Sequence, residues 1–357
     1  MTPPEGMEQS LDSLSGKVID QESRWMKRIE FLYLSQEDVI DVGLTMKEVI
    51  PVIEDVLRQH ALGKVENPPK PGVHPLRNAF IHAMPGYLSG KGVVGMKWVS
   101  SFPGNRGEGL PAVMGLVVLN DVHTGRPLAV MDCRWITAMR TGAASAVAAK
   151  YLARPETETI GIVGAGIQGR YNLLALSQVL PEIRLVRVFD VRRESMETYI
   201  ASMSETLSLR IEAGKSLRDV IEGADVVVTA TGRLDRPIFK EEWINPGALV
   251  LPVHHRGWEN RALHGADKFV TDDWTQLQQA HRETGGFYGP LPRLYAELGE
   301  IVTGRKAGRE DDRERIIDFN YGLAVEDVAL AQEVFTGAKN RGLGTVLSLM
   351  EGDLPLC

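Results

Sequence analysis

Two features of this 357-residue chain have the residue types and spacing that chemistry needs. The first is "GIVGAGIQG", where Gly164, Gly166 and Gly169 stand in the G-x-G-x-x-G spacing with Gln168 between the last two. An apolar run, "TIGIVGAG", precedes it, a helical pattern follows, and Asp190 closes the next apolar run, "RLVRVFDV". A strand, tight turn, helix, strand and acid in that order bind a dinucleotide. The glycines let the pyrophosphate approach, the helix start offers free N–H groups, and the acid takes the ribose hydroxyls. Asp190 favours NAD. Arg192 and Arg193, two and three residues after it, either hold the 2′-phosphate of NADP or face solvent. Thr229 and Thr231 in "VVVTATGRLDRPIF" end a later strand, where the ligand crevice of an open α/β sheet lies; an ordinary polar strand end looks the same. The second feature is Lys97 in "GMKWVS". A lysine flanked by apolar residues is either a snorkelling edge-strand residue or a half-buried amine with a lowered pKa, fit to move protons.

The elements that position these residues fall into two patterns. From Phe31 the chain reads as a strand and then a helix, "TMKEVIPVIEDVLRQHALG", with Thr45 as its N-cap and Gly63 at its end. A Pro-rich connector, "ENPPKPGVHP", leads to the strand-like runs "NAFIHAMP", "VVGMKWVSSF" and "AVMGLVVLND". This first part reads as α+β. Near Thr137 the pattern changes. "TAMRTGAASAVAAKYLAR" is an Ala-rich helix whose small residues imply close packing, and strands alternate with helices after it. Alternation of that kind predicts a doubly wound parallel sheet. After Asp318, "GLAVEDVALAQEVFTGAKNRGLG" reads as an amphipathic helix closed by Gly342 or Gly344.

Bulk properties narrow the function classes. A chain of this length exceeds one hydrophobic core, so two domains are expected. Hydrophobic residues at 43% and charged residues at 24% are a soluble globular balance. A net charge of −7 argues against a nucleic-acid partner. Two cysteines, Cys133 and Cys357, build neither a disulfide framework nor a metal cluster, and a reducing, cytoplasmic setting is expected. The first residues, 1–30, read as a polar extension, and no stretch is long enough to span a membrane.

The motifs together resemble the ornithine cyclodeaminase/mu-crystallin family. The matching pieces are "LYLSQEDV", "AMPGY", "GMKWVSSFPGN", "LNDVHTGRPLAVMDCRWITAMRTGAASAVAAKYLA", "GIVGAGIQG", "VVVTAT" and "GLAVEDVALA". That family includes alanine dehydrogenases and ketimine or imino-acid reductases. The resemblance implies a homodimer, with a Rossmann domain at 137–320 and an α+β substrate-binding and dimerisation domain at 31–136 and 321–357. It also implies that Arg77 and Arg140 bind a substrate carboxylate, a task suited to the planar guanidinium. Lys97 would stand near the reacting amine or carbonyl. Asp327 would either support the site or pair on its own helix.

One segment departs from the family. Cyclodeaminases carry an aspartate after the strand that here reads "GALVLPV", and this chain has His254, His255 and Arg256 there, with Glu259 the nearest acid. A basic segment suits a second carboxylate better than a second amine, and its histidines offer a group that titrates near neutral pH. The expected activity is therefore NAD(P)-dependent interconversion of an amino acid and its imine or 2-oxo acid, with His255 and Arg256 joining Lys97, Arg77 and Arg140. Redox-neutral ornithine cyclisation is one alternative, and a crystallin-like protein that binds NAD(P) without turnover is another.

Overall fold

The computed structural model describes residues 28–352 apart from Arg233, His255 and Gly285. Cys357, His255 and all but the last three residues of the 1–30 extension lie outside the described residues.

Two eight-stranded sheets carry the chain. The first contains β1 (Ile29–Leu34), β2 (Val65–Glu66), β3 (Gly72–Leu76), β4 (Ala79–Leu88), β5 (Val93–Ser101), β6 (Val113–Asn120) and β7 (Pro127–Asp132). The second contains β8 (Thr159–Val163), β9 (Leu185–Phe189), β10 (Arg210–Ala213), β11 (Val226–Thr229), β12 (Leu249–Pro252), β13 (Lys268–Thr271), β14 (Ala296–Glu297) and β15 (Ile316–Phe319). The last strand, β16 (Thr345–Met350), returns to the first sheet and pairs antiparallel with β1. The first sheet runs β16-β1-β7-β6-β5-β4-β2, with β3 paired to β4. The second runs β10-β9-β8-β11-β12-β15-β13-β14, and every pairing in it is parallel. Four of its strands, β11, β12, β13 and β15, are buried at every residue, the mark of a parallel sheet covered on both faces. The expected doubly wound α/β sheet with a separate α+β part is what the chain forms.

Four helices matter to the site: α1 (Met46–Ala61), α2 (Arg134–Leu152), α3 (Ile167–Leu176) and α4 (Ala324–Arg341). At the start of α1, the Glu48 carboxylate reaches back to accept from the Thr45 N–H at 2.8 Å and its hydroxyl at 2.7 Å. Its end is made by Gly63 at φ 67. The Ala-rich α2 packs on α1 from the first part and on α3 from the second. The crossing with α3 is close enough that a Cβ at Gly142 would stand 2.5 Å from the Tyr171 carbonyl oxygen. β15 inserts between β12 and β13 and then feeds α4, which packs against β4, β5 and α1 and ends at Gly342, φ 67. The carboxyl end of β15 is thus where the chain passes from the second sheet back to the first. No helix among the described residues is long and apolar enough to cross a membrane.

Candidate active site

The glycine loop follows β8, whose neighbours are β9 and β11, the point where strand order reverses. Gly164 has φ 107, and a Cβ there would meet the Ala230 carbonyl oxygen at 2.5 Å. A Cβ on Gly169 would meet the Gly164 oxygen at 2.2 Å, so that glycine lets α3 pack onto the strand. Gly166 is different: a Cβ there would touch nothing within 4 Å. It caps α3 without any side-chain hydrogen bond, which leaves open space in front of unsatisfied N–H groups. That space suits a pyrophosphate. Gln168 lies half-buried in the first turn of α3. Asp190 ends beside the loop, its two oxygens accepting from the N–H groups of Ala165 and Arg192, both at 3.0 Å. The Arg192 side chain is 57% exposed with Nε 3.7 Å from Asp190, and Arg193 pairs outward with Glu197.

On the far side of the crevice, the Thr229 hydroxyl is buried and accepts from the Trp258 indole at 3.2 Å. Thr231 stands at the crevice, within 2.7 Å of His254 Nε2. His254 Nδ1 accepts the Arg256 N–H at 3.3 Å, so Nε2 carries the proton and donates to Thr231. Removal from water pushes this ring down to about 4. His254 is therefore a neutral residue with both nitrogens engaged, not the neutral-pH titrating group read from the sequence. The Arg256 guanidinium lies over the Tyr288 ring, 5.5 Å from its centroid.

The charged centre lies where α4 covers the first sheet. Lys97 points inward from β5, 1% exposed, and its amine donates to Asp327 Oδ2 at 2.6 Å. Arg140 on α2 donates to Glu326 Oε2 at 3.2 Å and has Nε 3.4 Å from Asp327 Oδ1. Gly322 makes room for it: φ is 87, and a Cβ would stand 2.4 Å from Arg140 Nη1. Asp272, fully buried at the end of β13, accepts from the N–H groups of Tyr321 and Gly322 and so holds that crossing segment. Burial, with Arg140 beside it, pushes the Lys97 amine down, while Asp327 opposes. Burial and the neighbouring Asp272 and Asp327 push Glu326 up to about 7, against Arg140.

The sequence pattern missed Lys70 and His82. Lys70, in the Pro-rich connector, donates to the Tyr321 carbonyl at 2.9 Å and lies 3.7 Å from the centre of its ring. Loss of water, with Arg140 and Lys97 nearby, pushes it down to about 7. His82 on β4 is pushed down to about 4 by burial, Lys70, His74 and Lys97, so it is neutral. Arg77 does not join these groups within one chain. It is exposed in the turn between β3 and β4. Met84 faces Lys97 across the β4–β5 ladder, so Arg77 lies roughly 20 Å away along the strand.

The model of the family described as "Ornithine cyclodeaminase/mu-crystallin family" matches residues 32–342. The chain belongs to this family. Among its relatives, nodulation efficiency protein NfeD of Rhizobium meliloti is 41% identical over 88% of this chain and 98% of its own. The structure of Thermococcus litoralis Delta(1)-pyrroline-2-carboxylate reductase in complex with NADH and L-proline superposes with a TM-score of 0.81. It is 34% identical, covering 88% of this chain and 99% of that one. An archaeal alanine dehydrogenase dimer with bound NAD also gives 0.81, at 33% identity, over 90% of this chain and all of the other. In this member of the ornithine cyclodeaminase/mu-crystallin family, the glycine loop follows the carboxyl end of β8, and Arg140 of the charged centre lines a cleft at the carboxyl ends of β12 and β15.

Proposed function

We propose that the protein is an NAD-dependent oxidoreductase acting on the carbon–nitrogen bond of a small amino or imino acid. The observation that carries this is the buried Lys97–Asp327–Arg140 group, with Arg140 at the carboxyl ends of β12 and β15, on the same sheet edge as a glycine loop shaped for a dinucleotide. The similar reductase and dehydrogenase structures, solved with NADH or NAD, support it. When bound, NADH would supply the hydride in reduction and NAD+ would accept it in oxidation. Arg140, steered by Glu326, binds the substrate carboxylate, with Lys70 beside it. Lys97 delivers a proton to the substrate nitrogen in reduction and takes it back in oxidation, and Asp327 orients its amine. NAD is preferred over NADP because the Asp190 carboxylate lies against the loop while the Arg192 side chain extends into water.

The same reading makes the chain a dimer. Tyr33, Trp98, Leu116 and Leu347 lie on the outer face of the first sheet, each about 40% exposed, opposite the face that bears Lys97. A continuous apolar face of this kind marks an interface. Arg77, at the exposed hairpin tip, keeps its proposed carboxylate-binding role only if closure or the second copy brings it to a site.

The test is loss of NADH absorbance at 340 nm with a panel of cyclic imino acids and of 2-oxo acids plus ammonia or methylamine. Consumption that disappears in Lys97→Met while NADH still binds is the expected result. An unaffected Lys97→Met would overturn the assignment.

A further inference from the structure

A second cleft, of about 510 Å³, opens at the other edge of the second sheet. Of its lining residues, Leu263 and Asp267 precede β13, and Pro292, Arg293 and Tyr295 precede β14, so the cleft lies at the amino ends of these parallel strands. Lys306 completes the lining. The four residues of β13 put about 13 Å of strand between it and the carboxyl edge. Its walls are tied together. Asn260 Nδ2 donates to the Pro290 carbonyl at 2.8 Å and His264 Nε2 lies 3.2 Å from the same oxygen, which joins the helix Asn260–His264 to the segment before β14. The Tyr295 hydroxyl donates to the Ala307 carbonyl at 3.2 Å and so holds the loop that carries Lys306.

The charges on this lining are unbalanced by their neighbours. Nearby cations already have acids: Arg261 pairs with Glu241, and Lys268 with Glu310 and Glu314. Arg293 and Lys306 have no ion pair among the described residues, and neither has Asp267, whose Oδ2 accepts the Arg315 N–H at 2.8 Å. All three are exposed, and Lys306 Nζ stands 5.9 Å from the centre of the Tyr295 ring. Two cations and one anion thus share a cleft with the apolar Leu263 and Pro292. The complement of that set is a small molecule with two carboxylates, one ammonium and a short methylene chain. We propose that the cleft is a second ligand site, separate from the charged centre, for an acidic α-amino acid. The Arg293 fork takes one carboxylate and the Lys306 ammonium the other, while Asp267 takes the amino group. No glycine loop and no buried proton donor lines the cleft, so it binds without reacting. Ion pairs as exposed as these are individually weak, and the affinity expected is millimolar.

Calorimetric titration of the full chain with L-glutamate, and with glutarate, which lacks the amine, tests the site. Wild type should bind glutamate, and should bind glutarate about threefold more weakly. The double variant Arg293→Gln, Lys306→Gln should lose about tenfold in glutamate affinity with an unchanged melting temperature, since both side chains are exposed. Asp267→Asn keeps an acceptor for the Arg315 N–H, and should bring glutamate down to the level of glutarate while leaving glutarate unchanged. Glutamate held at the charged centre is untouched by these substitutions at the opposite edge, so the loss in the variants reads the cleft alone. It does so whether or not the chain binds a dinucleotide. Absence of binding up to about 10 mM glutamate overturns the proposal, as does unchanged affinity in the double variant. Equal wild-type affinity for glutarate overturns the recognition of an amino acid.

Discussion

Replacing Lys97 by methionine separates what the buried ion pair does for stability from what it does for turnover. Methionine keeps the apolar stem and removes the charge. Asp327, fully buried, then faces only Arg140, whose Nε is 3.4 Å from its other oxygen and not hydrogen-bonded to it. Coulomb's law at the observed 2.6 Å and an effective dielectric of about 20 gives a gross attraction of about 6 kcal/mol. Desolvation of both ions offsets much of this, and removal of one partner from such a pair costs about 3–5 kcal/mol. Arg140 moderates the loss, so about 3 kcal/mol is expected for Lys97→Met. Asp327→Leu should cost a similar amount, because it strands the Lys97 amine. The double variant leaves no stranded charge and should lie within about 1 kcal/mol of wild type, a coupling of several kcal/mol. Urea midpoints followed by tryptophan fluorescence measure all four proteins. Turnover should behave differently: Lys97→Met and the double variant should both lose about 10²–10⁴-fold, because the proton donor is missing in each. Additive stability costs would refute the pair, and a double variant that regains activity would refute the role of the amine.

Other outcomes follow from the same geometry. Gly166→Ala should leave the melting temperature unchanged, since its Cβ meets nothing, yet weaken NADH binding by filling the space before α3; Gly169→Ala, whose Cβ would stand 2.2 Å from Gly164 O, should instead destabilise the fold by more than about 1 kcal/mol. The His60–Asp273 pair, 3.4 Å apart, joins α1 to the end of β13. Burial opposes both charges, but the pair holds His60 above its usual value and Asp273 down at about 2. Its contribution should be full between about pH 4 and 6.5, fade as pH rises through the raised histidine pKa, and vanish as pH falls towards about 2. Subtracting urea midpoints of His60→Gln from wild type across pH should show that plateau. Trp98→Glu on the outer sheet face should convert a sedimenting dimer to monomer without loss of secondary structure.

The parts that sequence exposes are those whose physics is local. Five strands of the second sheet, β8, β9, β11, β12 and β13, were legible because each is a short apolar run bounded by turn residues, while β10, β14 and β15 carry no such run. The glycine loop was legible because three glycines and an acid sit within one βαβ unit. Lys97 stood out as a charge inside an apolar strand. Lys70 did not, because "ENPPKPGVHP" carries only linker signals, and its surroundings come from Tyr321, 251 residues later in the chain. Asp272, Asp318 and Glu326 likewise look like ordinary acids until tertiary packing removes their water. β16 escaped notice for the same reason, since an edge strand is defined by the partner it meets, here β1. His254 shows the converse. Two adjacent histidines suggest titration near neutral pH, but burial of the ring in a packed turn keeps His254 neutral.

The distribution of charge across the junction says why such an expensive arrangement persists. Lys97 comes from the first sheet, Lys70 from the connector before β3, Arg140 from the helix that links the two sheets, Asp272 and Asp318 from the second sheet, and Glu326 and Asp327 from the helix that returns between them. No single element contains a satisfied set, so the cluster exists only when both parts are together. Even then Arg140 Nε, Asp318 Oδ1, Glu326 Oε1 and Asp327 Oδ1 have no hydrogen-bond partner among the described residues, at a cost of about 1–3 kcal/mol for each such atom. A core selected for stability alone would replace these groups with apolar ones. Donors and acceptors left unpaired at one place, near the carboxyl ends of β12 and β15, are what a ligand bearing a carboxylate and a nitrogen would satisfy.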